Sequence, residues 1–124
     1  MINLTDIYKA KEKIQDIVVN TPFSYAPYLS EIAKCNVYLK KENLQITGAF
    51  KIRGAYNKIA SLSEAQRSGG VVAASAGNHA QGVALSASRF GIKAVIVMPE
   101  STPLTKINGV KHFGAEVILA GSNY

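Results

Sequence analysis

The sequence predicts an α/β fold, an open parallel sheet built from βαβ units and preceded by an N-terminal helix and a short strand. Three observations lead there. Near-continuous apolar runs at residues 71–75, 94–98 and 117–120 suit strands buried in a parallel sheet. Segments of helical periodicity separate them. A weak repeat aligns Arg89-Phe-Gly-Ile-Lys-Ala-Val-Ile with His112-Phe-Gly-Ala-Glu-Val-Ile-Leu, each a helix end, a glycine and a strand. Gly91 and Gly114 thereby fall where left-handed glycines close helices.

Taken in order, Ile7, Ala10, Ile14 and Ile17 recur at helical spacing after Thr5, so residues 6–18 read as an amphipathic helix capped by Thr5 and stopped at Thr21-Pro22. Residues 25–36, broken by Pro27, read as irregular. Val37-Tyr-Leu-Lys-Lys is a short strand. A loop over residues 43–48 feeds a helix from Ala49 or Phe50 to Ser61, with Ile52, Ala55, Tyr56 and Ile59 on its apolar face. The first sheet strand, residues 71–75, leads into a helix near residues 79–90, and Asn78 is a candidate cap for it. A further helix starts at Thr102-Pro103, with Thr102 as cap and proline in its first turn, and Asn108-Gly109 should weaken its middle. Right-handed crossovers would put helices on the sheet faces and a ligand at the carboxyl ends of the strands.

The chain has 124 residues, 48% of them hydrophobic, which suits one small domain. Its formal charge of +6 raises nucleic acid or an acidic membrane as a partner. The basic residues nevertheless scatter over many segments without aromatic interleaving, which argues for a solvated surface, no nucleic acid and no membrane. No apolar run is long enough to span a bilayer. The single cysteine, Cys35, has no partner for a disulfide and no metal-ligand spacing around it. It reads as a small half-buried side chain of a cytoplasmic protein.

Two stretches carry chemistry. Glu42-Asn-Leu-Gln-Ile-Thr-Gly-Ala-Phe-Lys-Ile-Arg-Gly-Ala places Lys51 between apolar neighbours at a helix start. A lysine that attacks an aldehyde must be unprotonated, and apolar neighbours such as Phe50 and Ile52 favour the neutral amine. Downstream, Ser75-Ala-Gly-Asn-His-Ala-Gln-Gly joins strand to helix, and backbone N–H groups at a helix N-terminus attract an anion such as a carboxylate. Small residues at Ala76 and Gly77 let a ligand approach the backbone. A histidine opening a helix, such as His79, is more often a cap or packing residue than a base. Gly69, Gly70 and Gly77 lack the spacing of a dinucleotide fingerprint. His112 needs no role beyond favourable interaction with a helix dipole.

Together the two stretches resemble fold type II pyridoxal 5'-phosphate enzymes, most closely the threonine dehydratase branch, also called threonine deaminases or threonine ammonia-lyases. The resemblance implies that Lys51 carries pyridoxal 5'-phosphate as an imine and acts as the catalytic base. It also implies that Phe50 packs near the pyridine ring, that Asn78 meets the phenolic oxygen, and that Ser75, Ala76, Gly77, Asn78 and His79 hold the substrate carboxylate. The reaction would be dehydration of L-threonine or L-serine to 2-oxobutanoate or pyruvate plus ammonia, in isoleucine biosynthesis or threonine catabolism. Serine racemases are similar but carry a serine where this chain has Ala76, which favours elimination. Cysteine synthase and threonine synthase fit the lysine segment less well, and a non-catalytic α/β binding module is the alternative of another class.

Resemblance further assigns residues 1–48 to the family's large domain and residues 49–124 to part of its cofactor- and substrate-side domain. The family's phosphate-cradling loop and the residue meeting the pyridine nitrogen have no counterpart within these 124 residues. This stretch alone is therefore expected to bind the cofactor weakly or not at all and to be inactive. Apolar surface left open on the N-terminal and Lys51 helices is expected to favour a homo-oligomer.

Overall fold

The computed structural model describes residues 1–123. Its elements run α1 (Leu4–Ile14), β1 (Phe23–Tyr25), α2 (Pro27–Ala33), β2 (Tyr38–Lys40), a 3₁₀ turn at Glu42–Leu44, α3 (Lys51–Ala60), α4 (Glu64–Ser68), β3 (Val71–Ala74), α5 (Asn78–Arg89), β4 (Ala94–Met98), α6 (Leu104–His112) and β5 (Glu116–Leu119). Strands β3, β4 and β5 form a parallel sheet in that order, with Val71 opposite Ala94 and Val95 opposite Glu116. A separate antiparallel pair joins β1 to β2. The predicted α/β class and its three sheet strands are those observed.

Helix α5 is the centre of the packing. Residues 82–87 are all buried, because α5 lies against β3 and β4 on one side and against α3 on another. Only small side chains permit such an approach on several sides, and Ala80, Ala84 and Ala87 supply them beside Ile96, Met98 and Val110. Ser86 is fully buried and donates its hydroxyl to the Gly82 carbonyl at 2.6 Å. A second cluster joins Ile14 and Ile17 to Ile52 and Leu85, tying the N-terminal segment to α3 and α5. Gly91 and Gly114 adopt φ of +63° and +87° where their helices end, as their spacing requires.

Several local expectations are corrected. Helix α1 starts two residues earlier, because Asn3 accepts from the Asp6 N–H at 3.1 Å while the Asp6 carboxylate accepts from the Asn3 N–H at 2.9 Å, a reciprocal box that displaces Thr5 as the cap. Residues 25–36 are not irregular: Pro27 begins α2, where its missing N–H costs nothing. Helix α4, started by a capping box of Ser63 and Gln66, and strand β1 are not among the predicted elements, both being too short for a periodic pattern. Neither Asn78 nor Thr102 caps a helix, since Gly77 and Pro103 hold those positions. The Thr102 hydroxyl is buried without a hydrogen-bond partner among the described residues. Gly109 does not interrupt α6; it packs against the Gln81 amide. Cys35 is exposed rather than half-buried. Apolar exposure falls on Leu4, Ile7 and Tyr8 of α1 as expected, but α3 buries Ile52, Ala55 and Ile59. Further open apolar residues include Phe23, Tyr25 and Tyr38 of the β1–β2 pair, Tyr28 and Ile32 of α2, Leu104 of α6, and Val72, 74% exposed on β3.

Candidate active site

Lys51 is the first residue of α3, and α5 approaches α3 tightly beside it. A Cβ on Gly82 would stand 3.2 Å from both the carbonyl carbon and the oxygen of Lys51, and 3.3 Å from the Ala55 Cβ. Glycine is what lets the two helices meet there. That crossing brings the two sequence motifs together. Phe50, Lys51, Arg53, Gly54, Ala55 and His79 line one cavity of about 270 Å³, so His79 and the lysine share its wall. A neighbouring opening of about 500 Å³ at the carboxyl end of β3 is lined by Ala74, Ser75, Ala76, Gly77 and Lys106. Asn78 is exposed at the first turn of α5, between the two, and lines neither.

The strand-to-helix loop is organised by its own hydrogen bonds. Ser75 continues the ladder, its N–H donating to the Val97 carbonyl at 3.0 Å, and its hydroxyl accepts the Gly77 N–H at 3.3 Å. Among the described residues no side chain caps the first turn of helix α5, where the Ala80 N–H turns back to the Gly77 carbonyl at 3.0 Å, and a helix N-terminus of this kind favours an anion.

Around Lys51 the expected environment holds in part. The Phe50 ring lies 5.1 Å from the Lys51 Nζ, with Phe50 itself 57% exposed. Ile52, by contrast, is fully buried in the core, because consecutive helical residues point about 100° apart, and it gives the amine no apolar cover.

The strongest electrostatic feature was not read from the sequence. Glu42 accepts two hydrogen bonds from the Arg53 guanidinium, from Nε at 2.8 Å and Nη2 at 2.9 Å. The same carboxylate accepts from the Thr21 hydroxyl at 2.6 Å and from the Gln45 amide at 3.2 Å. Gln45 also pairs with the backbone of Val19, accepting at 3.0 Å and donating at 2.8 Å. The Lys40 Nζ donates to the Thr21 carbonyl at 2.6 Å. Glu42 sits in the 3₁₀ turn and Arg53 in α3 with a loop between them, so no single helix or strand pairs them and only the fold reveals the contact.

The Arg53 guanidinium, with help from Thr21 and Gln45 and against the opposing cost of burial, holds the Glu42 carboxyl down to about 2 from its ordinary 4.5. Arg53 is pushed up in turn by Glu42. A carboxyl whose folded pKa is depressed contributes stability that is present above about 4.5 and is lost as pH falls towards about 2. The melting temperature is therefore expected to drop through that window, by the equivalent of about 2 kcal/mol once solvent screening is allowed for. The Glu42→Gln variant should lose this part of the acid sensitivity. A calorimetric pH series in which both proteins decline identically would contradict it.

Space for a ligand is built into the same walls. Apart from their own chain neighbours and helix backbone, no described atom lies within 4 Å of where a Cβ would stand on Gly54 or Gly77, which line the Lys51 and Ser75 cavities respectively. Glycine in mid-helix costs about 1 kcal/mol against alanine. A lysine amine beside an aromatic ring and near a helix N-terminus suits an aldehyde cofactor with a planar ring. Among the described residues there is no cluster of metal-ligating side chains and no helix long and apolar enough to cross a membrane.

Comparison with known proteins gives concordant results. Residues 14–124 match the family model described as pyridoxal-phosphate dependent enzyme. An L-threonine ammonia-lyase of Thermotoga maritima is 58% identical over 98% of this chain and 30% of its own length. A catabolic L-threonine dehydratase of Staphylococcus aureus is 54% identical over 100% of the chain and 36% of its own. This chain thus spans about a third of the length of these curated relatives. Among solved structures, maize serine racemase superposes with a TM-score of 0.91 at 38% identity over 98% of this chain and 37% of that one. The processed threonine deaminase isoform 2 of Solanum lycopersicum superposes with a TM-score of 0.83 at 38% identity, over 98% and 35%.

Proposed function

Because the chain belongs to the pyridoxal-phosphate dependent enzyme family, we propose that it is the lysine-bearing part of an L-threonine dehydratase, an ammonia-lyase that also takes L-serine. The observation that carries this reading is the single cavity shared by Phe50, Lys51 and His79, which joins the two motifs through the close crossing at Gly82. High identity to relatives named for L-threonine supports the substrate. Ala76, which has no hydroxyl to offer, supports elimination over racemisation.

Bound pyridoxal 5'-phosphate would supply an electron sink for the pair freed at the substrate's α-carbon. Lys51 would hold it and, once displaced by the substrate amine, take the α-proton on Nζ. Phe50 would cover one side of the ring, and Asn78 would meet the phenolic oxygen. Ser75, Ala76, Gly77, Asn78 and His79 would seat the substrate carboxylate on the α5 N-terminus, where backbone donors and the helix dipole are favourable. Orienting the α-C–H bond and excluding water are then the chain's contribution to rate. Loss of the β-hydroxyl and hydrolysis balance as L-threonine giving 2-oxobutanoate and ammonia.

In this reading residues 1–48 belong to the large domain and residues 49–124 to the cofactor-side domain. The 124 residues by themselves bind the cofactor weakly and turn over little or no L-threonine. The protein is cytoplasmic and self-associates through apolar surface such as that on α1. Reduction with borohydride after addition of pyridoxal 5'-phosphate, followed by peptide mapping, tests the central claim. One saturable adduct on Lys51 is expected. Label spread over many lysines, or none, would overturn it.

A further inference from the structure

The start of α3 lacks both a side-chain cap and a favourable first-turn charge. Phe50 provides no side-chain cap, the first turn holds two cations, Lys51 and Arg53, and it holds no acidic residue. The helix dipole opposes positive charge at that end. Lys51 is exposed and its side chain has no enclosing packing, so the place of its amine depends on where the first turn of backbone lies. Something outside the helix has to hold that turn.

We propose that Arg53, gripped by Glu42, is a positioning residue for Lys51: the forked ion pair sets the first turn of α3 and thereby aims the Lys51 amine into the cavity it shares with His79. The proposal rests on the reading of Lys51 as the cofactor lysine. Arg53 lies two residues beyond Lys51 on the same turn, and its two bonds to Glu42 fix both direction and rotation, as a single-point contact would not. A slip of one residue would swing Lys51 by about 100° around the axis.

Glu42 is itself immobilised. Its carboxylate is filled by Arg53, Thr21 and Gln45, and Gln45 is anchored on both backbone groups of Val19. The clamp therefore runs from the segment after α1, through the 3₁₀ turn, to the lysine helix. Isolated surface pairs contribute little, but the Glu42 side chain is only 15% exposed and has several partners. Gly82 restrains the Lys51 backbone from the α5 side, and Arg53 restrains the same turn from the loop side.

The test compares the 124-residue chain with its Arg53→Met, Glu42→Gln and doubly substituted forms, using pyridoxal 5'-phosphate and borohydride as the probe. Lysine condenses with the aldehyde with loss of water, and hydride reduction leaves a stable secondary amine that mapping assigns. Melting temperature is measured alongside. Each single variant is expected to lower the share of label on Lys51 about tenfold, as small misplacements of reacting groups do, while the lysines outside the network label as before. The double variant leaves no charge unpaired and should regain most of the lost melting temperature, yet keep the low Lys51 share. A folded single variant with the wild-type share overturns the proposal. So does a double variant in which the share returns with stability, since the clamp would then be structural only. Diffuse labelling of the wild type sinks the Lys51 reading itself, and the proposal with it, before any variant is made. If Arg53→Met does not fold, Arg53→Lys, which keeps the charge and loses the fork, takes its place with the same outcomes.

Discussion

Valine at position 82 is expected to part α3 from α5 and to cost about 2–3 kcal/mol of stability. The Cβ of any residue there would sit 3.2 Å from the Lys51 carbonyl group, and backbone inside a helix cannot swing aside as a long side chain can. Alanine gains about 1 kcal/mol of helix propensity over glycine and so offsets part of its own clash. Valine adds two methyl groups, has one strongly preferred helical rotamer, and gains less propensity, so overpacking dominates. Denaturant titration should show a lower midpoint for Gly82→Val than for Gly82→Ala, and the share of pyridoxal phosphate label on Lys51 should fall with it. Because both motifs depend on this crossing, an unchanged midpoint and label pattern would refute the packing described for the site.

Ile52→Ala is expected to cost about 3–4 kcal/mol, a large part of the 5–15 kcal/mol that holds a domain of this size together. Ile52 is fully buried against Ile14, Ile17 and Leu85, so truncation removes contacts to three segments at once and leaves a void between rigid neighbours. The same side chain anchors the helix that presents Lys51. A loss below about 1 kcal/mol in the extrapolated unfolding free energy would mean that the N-terminal segment does not pack on α3 as observed.

How much of this was legible depends on how far apart the interacting residues stand. The three parallel strands follow their apolar runs to within a residue, but only the central β4, Ala94–Met98, is buried as expected, because β3 and β5 are edge strands with exposed positions, and β1 left no apolar run to read. Two signals are local: the Asn3–Asp6 box outcompetes Thr5 as a cap, and the Ser63–Gln66 box starts a helix too short for apolar periodicity to mark. At the site, Lys51 and residues 75–79 were singled out by motif, and the fold brings His79 to the lysine's cavity but leaves Asn78 outside it. Lys106 at the Ser75 opening gave no signal, since a lone lysine on an amphipathic helix is ordinarily solvated.

The sequence by itself determined the α/β class, the parallel order of apolar strands and the glycines that end α5 and α6, because these follow from periodicity and backbone preference within a few residues. Tertiary structure decided the rest of the site. Gly82 has meaning only against the Lys51 carbonyl, Arg53 only against Glu42, and the cavity only where α3 crosses α5. Each of these is a contact between residues that no local period relates, formed because burying α5 on several sides forces its small-residue face onto the backbone of the lysine helix.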